Sequence, residues 1–215
     1  MIKLSGISRF GLLCAVAIVL SCMQGAYAQS QSFSFRDYSS MGTGVAVSGH
    51  TAAIGAPTYE HYVDPDFLNP LWVGLVNVYT ADVERTHWTL SAVLHADDAS
   101  PENQEFGKAI AMQGRRVVIA TNATLRIYER RHGNYELLDT VVLSDATISP
   151  STPIQFVKDV LAISVLNNSG GNSVQVFRID QRGKAKLEAS LSPPGDPDLY
   201  DVVACRWICV LANWR

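Results

Sequence analysis

Strands that end in an aromatic residue recur along this chain at a fixed interval. LVNVYT at 75–80, LRIYER at 125–130 and VQVFRI at 174–179 set Tyr79, Tyr128 and Phe177 49 residues apart at each step. A second apolar run follows each one and ends in leucine, at Leu94, Leu143 and Leu191, with spacings of 49 and 48. Two independent markers keeping one period are poorly explained by chance. A period of that length means that each unit is a supersecondary element unable to bury its apolar surface alone, so that neighbours must stack.

Ahead of each pair lies a hairpin pattern of two short apolar strands flanking a polar or small turn. VAVSGHTAAIGA at 45–56 aligns with IAMQGRRVVIAT at 110–121, and more loosely with FVKDVLAISV at 156–165 and VVACRWICVLA at 202–212. Runs such as Val117 to Ile119, Leu125 to Tyr128 and Val141 to Leu143 are short, β-branched and bounded by Gly, Asn, Asp, Ser and Pro, and no 3.6-residue periodicity is sustained. The expected fold is therefore all-β, built from units of four strands, which is the content of one propeller blade. The units cover about 41–94, 106–143 and 154–191, with a partial one at 200–215.

The first 28 residues differ in kind. Lys3 and Arg9 precede an apolar run from Phe10 to Leu20, and Ala26-Tyr27-Ala28 supplies a small-x-small cleavage site, so residues 1–28 read as a secretory signal peptide. Eleven apolar residues are too few to cross ~30 Å of hydrocarbon as a helix. Val19-Leu20-Ser21-Cys22 also resembles a lipobox that would lipidate Cys22, although Leu20 fits its second position poorly. The remainder is expected to be secreted, extracellular or periplasmic, without a membrane span. Its formal net charge of -3 gives no bias toward nucleic acid. Outside the leader only Cys205 and Cys209 remain, in an oxidising compartment where they form either a disulfide or two small buried apolar residues.

The units also carry a recognisable signature. Phe106-Gly107 followed by KAIAMQGRRVVIAT, and Met41-Gly42 followed by TGVAVSGHTAAIGAP with Gly55-Ala56-Pro57 at its end, resemble FG-GAP repeats, the blade unit of integrin alpha-chain propellers and of many exported bacterial proteins. Trp88 and the acidic linker at 94–107 resemble that family's blade-to-blade connection. The resemblance is close over 41 to about 144; the later units lack both Phe-Gly and Gly-Ala-Pro. It implies a β-propeller, recognition or adhesion as its role, and calcium in an Asp-x-Asp-x-Asp-Gly loop. No segment here matches that calcium loop. Asp64 and Asp66 alternate, but Pro65 lies between them and no Gly follows, and Asp97, Asp98, Glu102 and Glu105 form only a cluster. Both groups read as solvated acidic loops, and no cofactor or metal is expected.

Catalytic patterns are missing. The sequence has neither Gly-x-Ser-x-Gly nor His-Glu-x-x-His, and His50, His61, His87, His95 and His132 are scattered without metal spacing. Ser48-Gly49-His50 sits in a hairpin turn whose counterpart in the next unit is Gln113-Gly114-Arg115, so Ser48 and His50 read as turn residues. The feature that sets the first unit apart is length. Between Pro57 and Gly74 it carries TYEHYVDPDFLNPLWV, where the second unit has only Thr121 to Thr124. Tyr59, His61, Tyr62, Asp64, Asp66, Phe67 and Trp72 in this insertion combine aromatic and acidic groups as protein- or glycan-contact surfaces do, and they are the candidate ligand-binding residues. Packing of Phe67, Leu71 and Trp72 onto their own unit is the alternative. Asn122 and Asn167 fit the glycosylation sequon, which matters only in a eukaryotic secretory pathway.

The period places the next aromatic near 226 and the next leucine near 240, past Arg215. A propeller closes with ~4 to 8 blades, so the repeat reads as a fragment, a truncated frame, or a half-propeller completed by self-association. The functional expectation is an exported, non-enzymatic recognition or adhesion protein with an extracellular protein or glycan ligand. Two rivals are the propeller portion of a secreted polysaccharide- or lipid-processing hydrolase and a structural cell-envelope protein.

Overall fold

The computed structural model describes residues 40–61, 71–96, 104–148, 152, 154–168 and 170–192. The leader, Cys22, the pair Cys205 and Cys209, and the unit at 200–215 lie outside the described residues. No helix occurs among the described residues, and the all-β expectation holds.

Three antiparallel sheets follow one another along the chain. Sheet 1 has the order β1 (Val45–Ser48), β2 (Thr51–Ala56), β5 (Leu75–Ala81), β6 (Trp88–Leu94). Between β2 and β5 a separate two-stranded ribbon forms from β3 (Glu60–His61) and β4 (Leu71–Trp72). Sheet 2 is β7 (Ala109–Gln113), β8 (Arg116–Ala120), β9 (Thr124–Arg131), β10 (Asn134–Val142). Sheet 3 runs through β13 (Val160–Asn167), β14 (Asn172–Ile179) and β15 (Ala185–Leu191). Its first position is divided: β12 (Ile154–Val157) pairs with the start of β13, and β11 (Ala146–Thr147) pairs with its end. The sequence pattern marks β12 but not β11, which is too short to carry an alternation.

Period-2 alternation sends successive side chains to opposite faces, and here both faces are used. From sheet 2, Ile110, Val117, Ile119 and Tyr128 pack with Ala53, Val76 and Val78 of sheet 1. The intervening residues Ala109, Ala111, Val118, Ala120, Leu125 and Ile127 pack with Phe156, Leu161, Ile163, Val165, Phe177 and Ile179 of sheet 3. Sheet 2 is thus filled on both sides, which is why its central strands read as near-continuous apolar runs. The first strands also adjoin one another, β7 lying against both β1 and β12. The fourth strands are edges, and their outward side chains, among them Leu90, Leu137 and Leu187, are exposed.

The 49-residue period has a backbone counterpart. In each sheet the pairing of the third and fourth strands shifts register beside the marker aromatic, between Val78 and Tyr79 in sheet 1 and between Val176 and Phe177 in sheet 3; in sheet 2 the shift falls between Leu137, the partner of Tyr128, and Asp139. Tyr79 faces Leu90, Tyr128 faces Leu137 and Phe177 faces Leu187 across the ladder. An extra residue at this point strengthens the local twist, so the repeated spacing marks a repeated bulge as well as a repeated strand.

The inserted arm and the glycine junction beneath it

The inserted segment of the first unit is built at its root from a β-ribbon. Glu60 pairs with Trp72 and His61 with Leu71, so 57–74 is more ordered at its base than the loop its sequence suggests. Tyr59 lies just before β3 and its side chain is exposed at 38%. Its N–H donates to Ala56 O at 3.1 Å, and its carbonyl accepts from Gly74 N–H at 3.1 Å, closing the two ends of the arm on each other. Thr58 Oγ1 donates to Ser40 Oγ at 2.9 Å. Of the sequence-derived candidates, the structure places the backbones of Tyr59, His61 and Trp72 together at this root. Tyr62, Asp64, Asp66 and Phe67 lie outside the described residues. The equivalent connection of sheet 2 is a tight turn closed by Thr124 N–H donating to Thr121 Oγ1 at 2.9 Å.

Beneath the arm, the Gly-Ala-Pro end of unit 1 meets the Phe-Gly start of unit 2. Phe106 N–H donates to Val73 O at 3.1 Å, and Gly74 and Phe106 form a parallel bridge. The Phe106 ring is fully buried and meets the edge of Tyr128 with ring centres 6.3 Å apart and planes at 89°. Gly107 N–H donates to Ala120 O at 3.0 Å, while its own carbonyl is pressed against unit 1. A Cβ on Gly55 would come within 2.0 Å of Gly107 O, and one on Gly44 within 2.5 Å. Gly107 itself has φ +97, a left-handed conformation that L side chains rarely adopt. The glycines of the signature therefore allow two backbones to touch, which fixes the arm's root to the neighbouring sheet.

Next to the junction, Lys108 is buried, with Nζ donating to Asn122 Oδ1 at 2.6 Å and paired with Glu105 Oε2 at 2.7 Å. The amide of Asn122, one of the two sequon residues, is thereby engaged, and Asn167 Oδ1 accepts from Ser173 Oγ at 3.2 Å. Sequence reasoning did not single out Lys108. A lone lysine after Phe-Gly carries no sign that it will be buried. Among the described residues no three His, Cys, Asp or Glu gather into a group able to hold a metal ion.

The chain matches no protein-family model and no curated protein.

Proposed function

We propose that this chain is an exported β-propeller protein of FG-GAP type whose role is recognition or adhesion without catalysis, the inserted arm between β2 and β5 contributing the ligand contacts. The observation that carries the reading is the serial stacking of two four-stranded sheets and one five-stranded sheet. Sheet 2 gives one face to each neighbour, the first strands adjoin, and the last strands β6, β10 and β15 are sheet edges. Serial packing of this kind supports a propeller reading, because propellers cover their sheets by repeating such units around an axis. An arm rooted on a rigid glycine junction, with Tyr59 exposed at its base, is a suitable platform for binding, since recognition residues are commonly carried on loops held by a stiff scaffold.

The test replaces 62–70 by a short Gly-Ser turn, keeping the β3–β4 pairing, and screens both proteins on a glycan array and against immobilised extracellular-matrix proteins. Loss of a specific signal with an unchanged far-ultraviolet circular dichroism spectrum is the expected result. An unchanged binding profile overturns the assignment of the arm, and turnover of a polysaccharide or lipid ester by the intact chain overturns the non-catalytic reading.

A further inference from the structure

The hairpin turns opposite the inserted arm form one continuous end of the molecule. His50 Nδ1 lies 2.9 Å from Asp82 O, joining the β1–β2 and β5–β6 turns. Gly114 N–H donates to Ser48 Oγ at 2.9 Å, joining sheet 1 to the β7–β8 turn. Arg130 N–H donates to Arg115 O at 2.8 Å, bringing in the β9–β10 hairpin. Arg116 donates to Asp180 O at 2.9 Å and to Gln181 O at 2.6 Å, reaching the β14–β15 turn of sheet 3. Ile179 N–H donates to Asp159 O at 2.7 Å, which adds the β12–β13 turn.

Charge on this end is sorted. Three of its carboxylates are paired with cations, Glu129 with Arg116 and Arg131, Asp139 with Lys184, and Asp159 with Arg178, while Asp82 is held by the Thr86 hydroxyl and the N–H groups of Thr86 and His87. The Asp180 carboxylate accepts only the backbone N–H of Lys184, so Asp180 and Glu84 are exposed acids outside any ion pair among the described residues. The tips of four different turns instead present Arg85, Arg115, Lys158 and Arg182, all exposed and none in an ion pair among the described residues. Arg85 and Lys158 lie in the left-handed region, at φ 57 and φ 58, as do Ser40, Glu105, His132 and Asp145.

We infer that this turn face is a docking surface for an anionic polysaccharide, sulfated or uronic, bound through Arg85, Arg115, Lys158 and Arg182. Separate cations outside ion pairs, carried on successive turns of one end, match a linear polyanion, whose charges repeat along its length. A membrane surface fits less well. The described turn residues at 49–50, 82–87, 114–115, 132–133, 158–159 and 180–184 include no Trp, Tyr or Phe to settle among headgroups, and Val83, exposed at 91%, is followed by Glu84. Because the whole chain carries -3, attraction to a polyanion has to come from a local patch. This surface is distinct from the arm and does not depend on it.

The test uses the full chain on immobilised heparin, with uncharged dextran as the blank and vesicles of phosphatidylcholine and phosphatidylserine as a separate arm. Wild type is expected to bind heparin in a salt-dependent manner. The variant Arg85→Ser, Arg115→Ser, Lys158→Ser, Arg182→Ser should lose about fivefold in affinity per cation, roughly the Coulomb contribution of one exposed charge. A control of equal net charge, Thr140→Glu, Ser144→Asp, Ser190→Asp, Ser192→Asp, alters exposed positions outside the turns of this face and should keep binding. No heparin binding by wild type, equal binding by the turn variant, or equal loss in the control overturns the inference. Binding to the anionic vesicles but not to heparin reassigns the face to a membrane.

Discussion

Ser48 Oγ accepts a hydrogen bond at 2.9 Å from the backbone N–H of Gly114, and so fastens the first hairpin of one sheet to the first hairpin of the next. His50, two residues on, turns to Asp82 O at 2.9 Å in its own sheet. Each side chain of this Ser-His pair is directed at a different backbone partner, and the two serve as ties between turns. Ser48→Ala is expected to lower stability by about 0.5–1 kcal/mol, the low end for a solvent-accessible hydrogen bond, measured by urea unfolding. A loss above ~2 kcal/mol would mean that Ser48 does more than hold Gly114.

Glycines of the two units should differ sharply in tolerance. Gly55→Ala drives a Cβ to 2.0 Å from Gly107 O, a backbone atom that cannot rotate away, and should cost about 3 kcal/mol or more. Gly114→Ala meets nothing within 4 Å and carries only the penalty of its φ of +58, about 1 kcal/mol. Thermal unfolding of the two variants side by side gives the comparison; equal effects would contradict the junction.

Ile119 and Ile127 are both fully buried, one filling the space between sheets 1 and 2 and the other that between sheets 2 and 3. Each truncated to Ala should destabilise by about 2–5 kcal/mol. By contrast Val83→Ser, at a turn tip, should change stability by less than about 0.5 kcal/mol. Denaturant midpoints at constant m-value are the readout.

Lys108 and Glu105 should respond asymmetrically. The Lys108 side chain is 3% exposed and that of Glu105 34%. Lys108→Met leaves a carboxylate that water can reach, with an expected loss of about 1 kcal/mol. Glu105→Gln strands a buried ammonium whose remaining side-chain acceptor is the neutral amide of Asn122, and should cost about 3 kcal/mol. The opposite order in chemical denaturation would contradict the pairing.

Asp82 organises the β5–β6 turn. Its carboxylate accepts from Thr86 Oγ1 at 2.6 Å, Thr86 N–H at 2.7 Å and His87 N–H at 3.2 Å. The Thr86 hydroxyl foremost, with the two N–H groups, holds its pKa down at about 2 from an ordinary 3.8. A carboxyl depressed in the folded state stabilises above its unfolded pKa and loses that contribution as pH falls through the folded one. The stability difference between wild type and Asp82→Asn should therefore be constant at neutral pH and shrink between about pH 4 and pH 2, followed by acid titration of unfolding. A difference that persists unchanged to pH 2 would exclude this role.

Much of the strand framework could be read from local pattern. β5, β9 and β14 declare themselves through Leu75 to Tyr79, Leu125 to Tyr128 and Val174 to Ile179, because β-branched runs bounded by turn residues have few other ways to bury themselves. Small discrepancies occur at ends: Leu143 marks the repeat but lies one residue past β10. The arm was visible as extra length, but its β3–β4 root was not, since two-residue strands carry no period and the pairing of His61 with Leu71 depends on where Pro57 and Gly74 are held.

By itself, the sequence determined the all-β class and the 49-residue unit, because strand alternation and turn chemistry act over a few residues. Tertiary structure alone decided which face of each strand meets which neighbour, that Gly55 touches Gly107, that Lys108 is covered, and that Arg85, Arg115, Lys158 and Arg182 share one end. Those relations join residues far apart in the chain. They are set by sheets packing on both faces, where the apolar surface of one unit is buried only by the next.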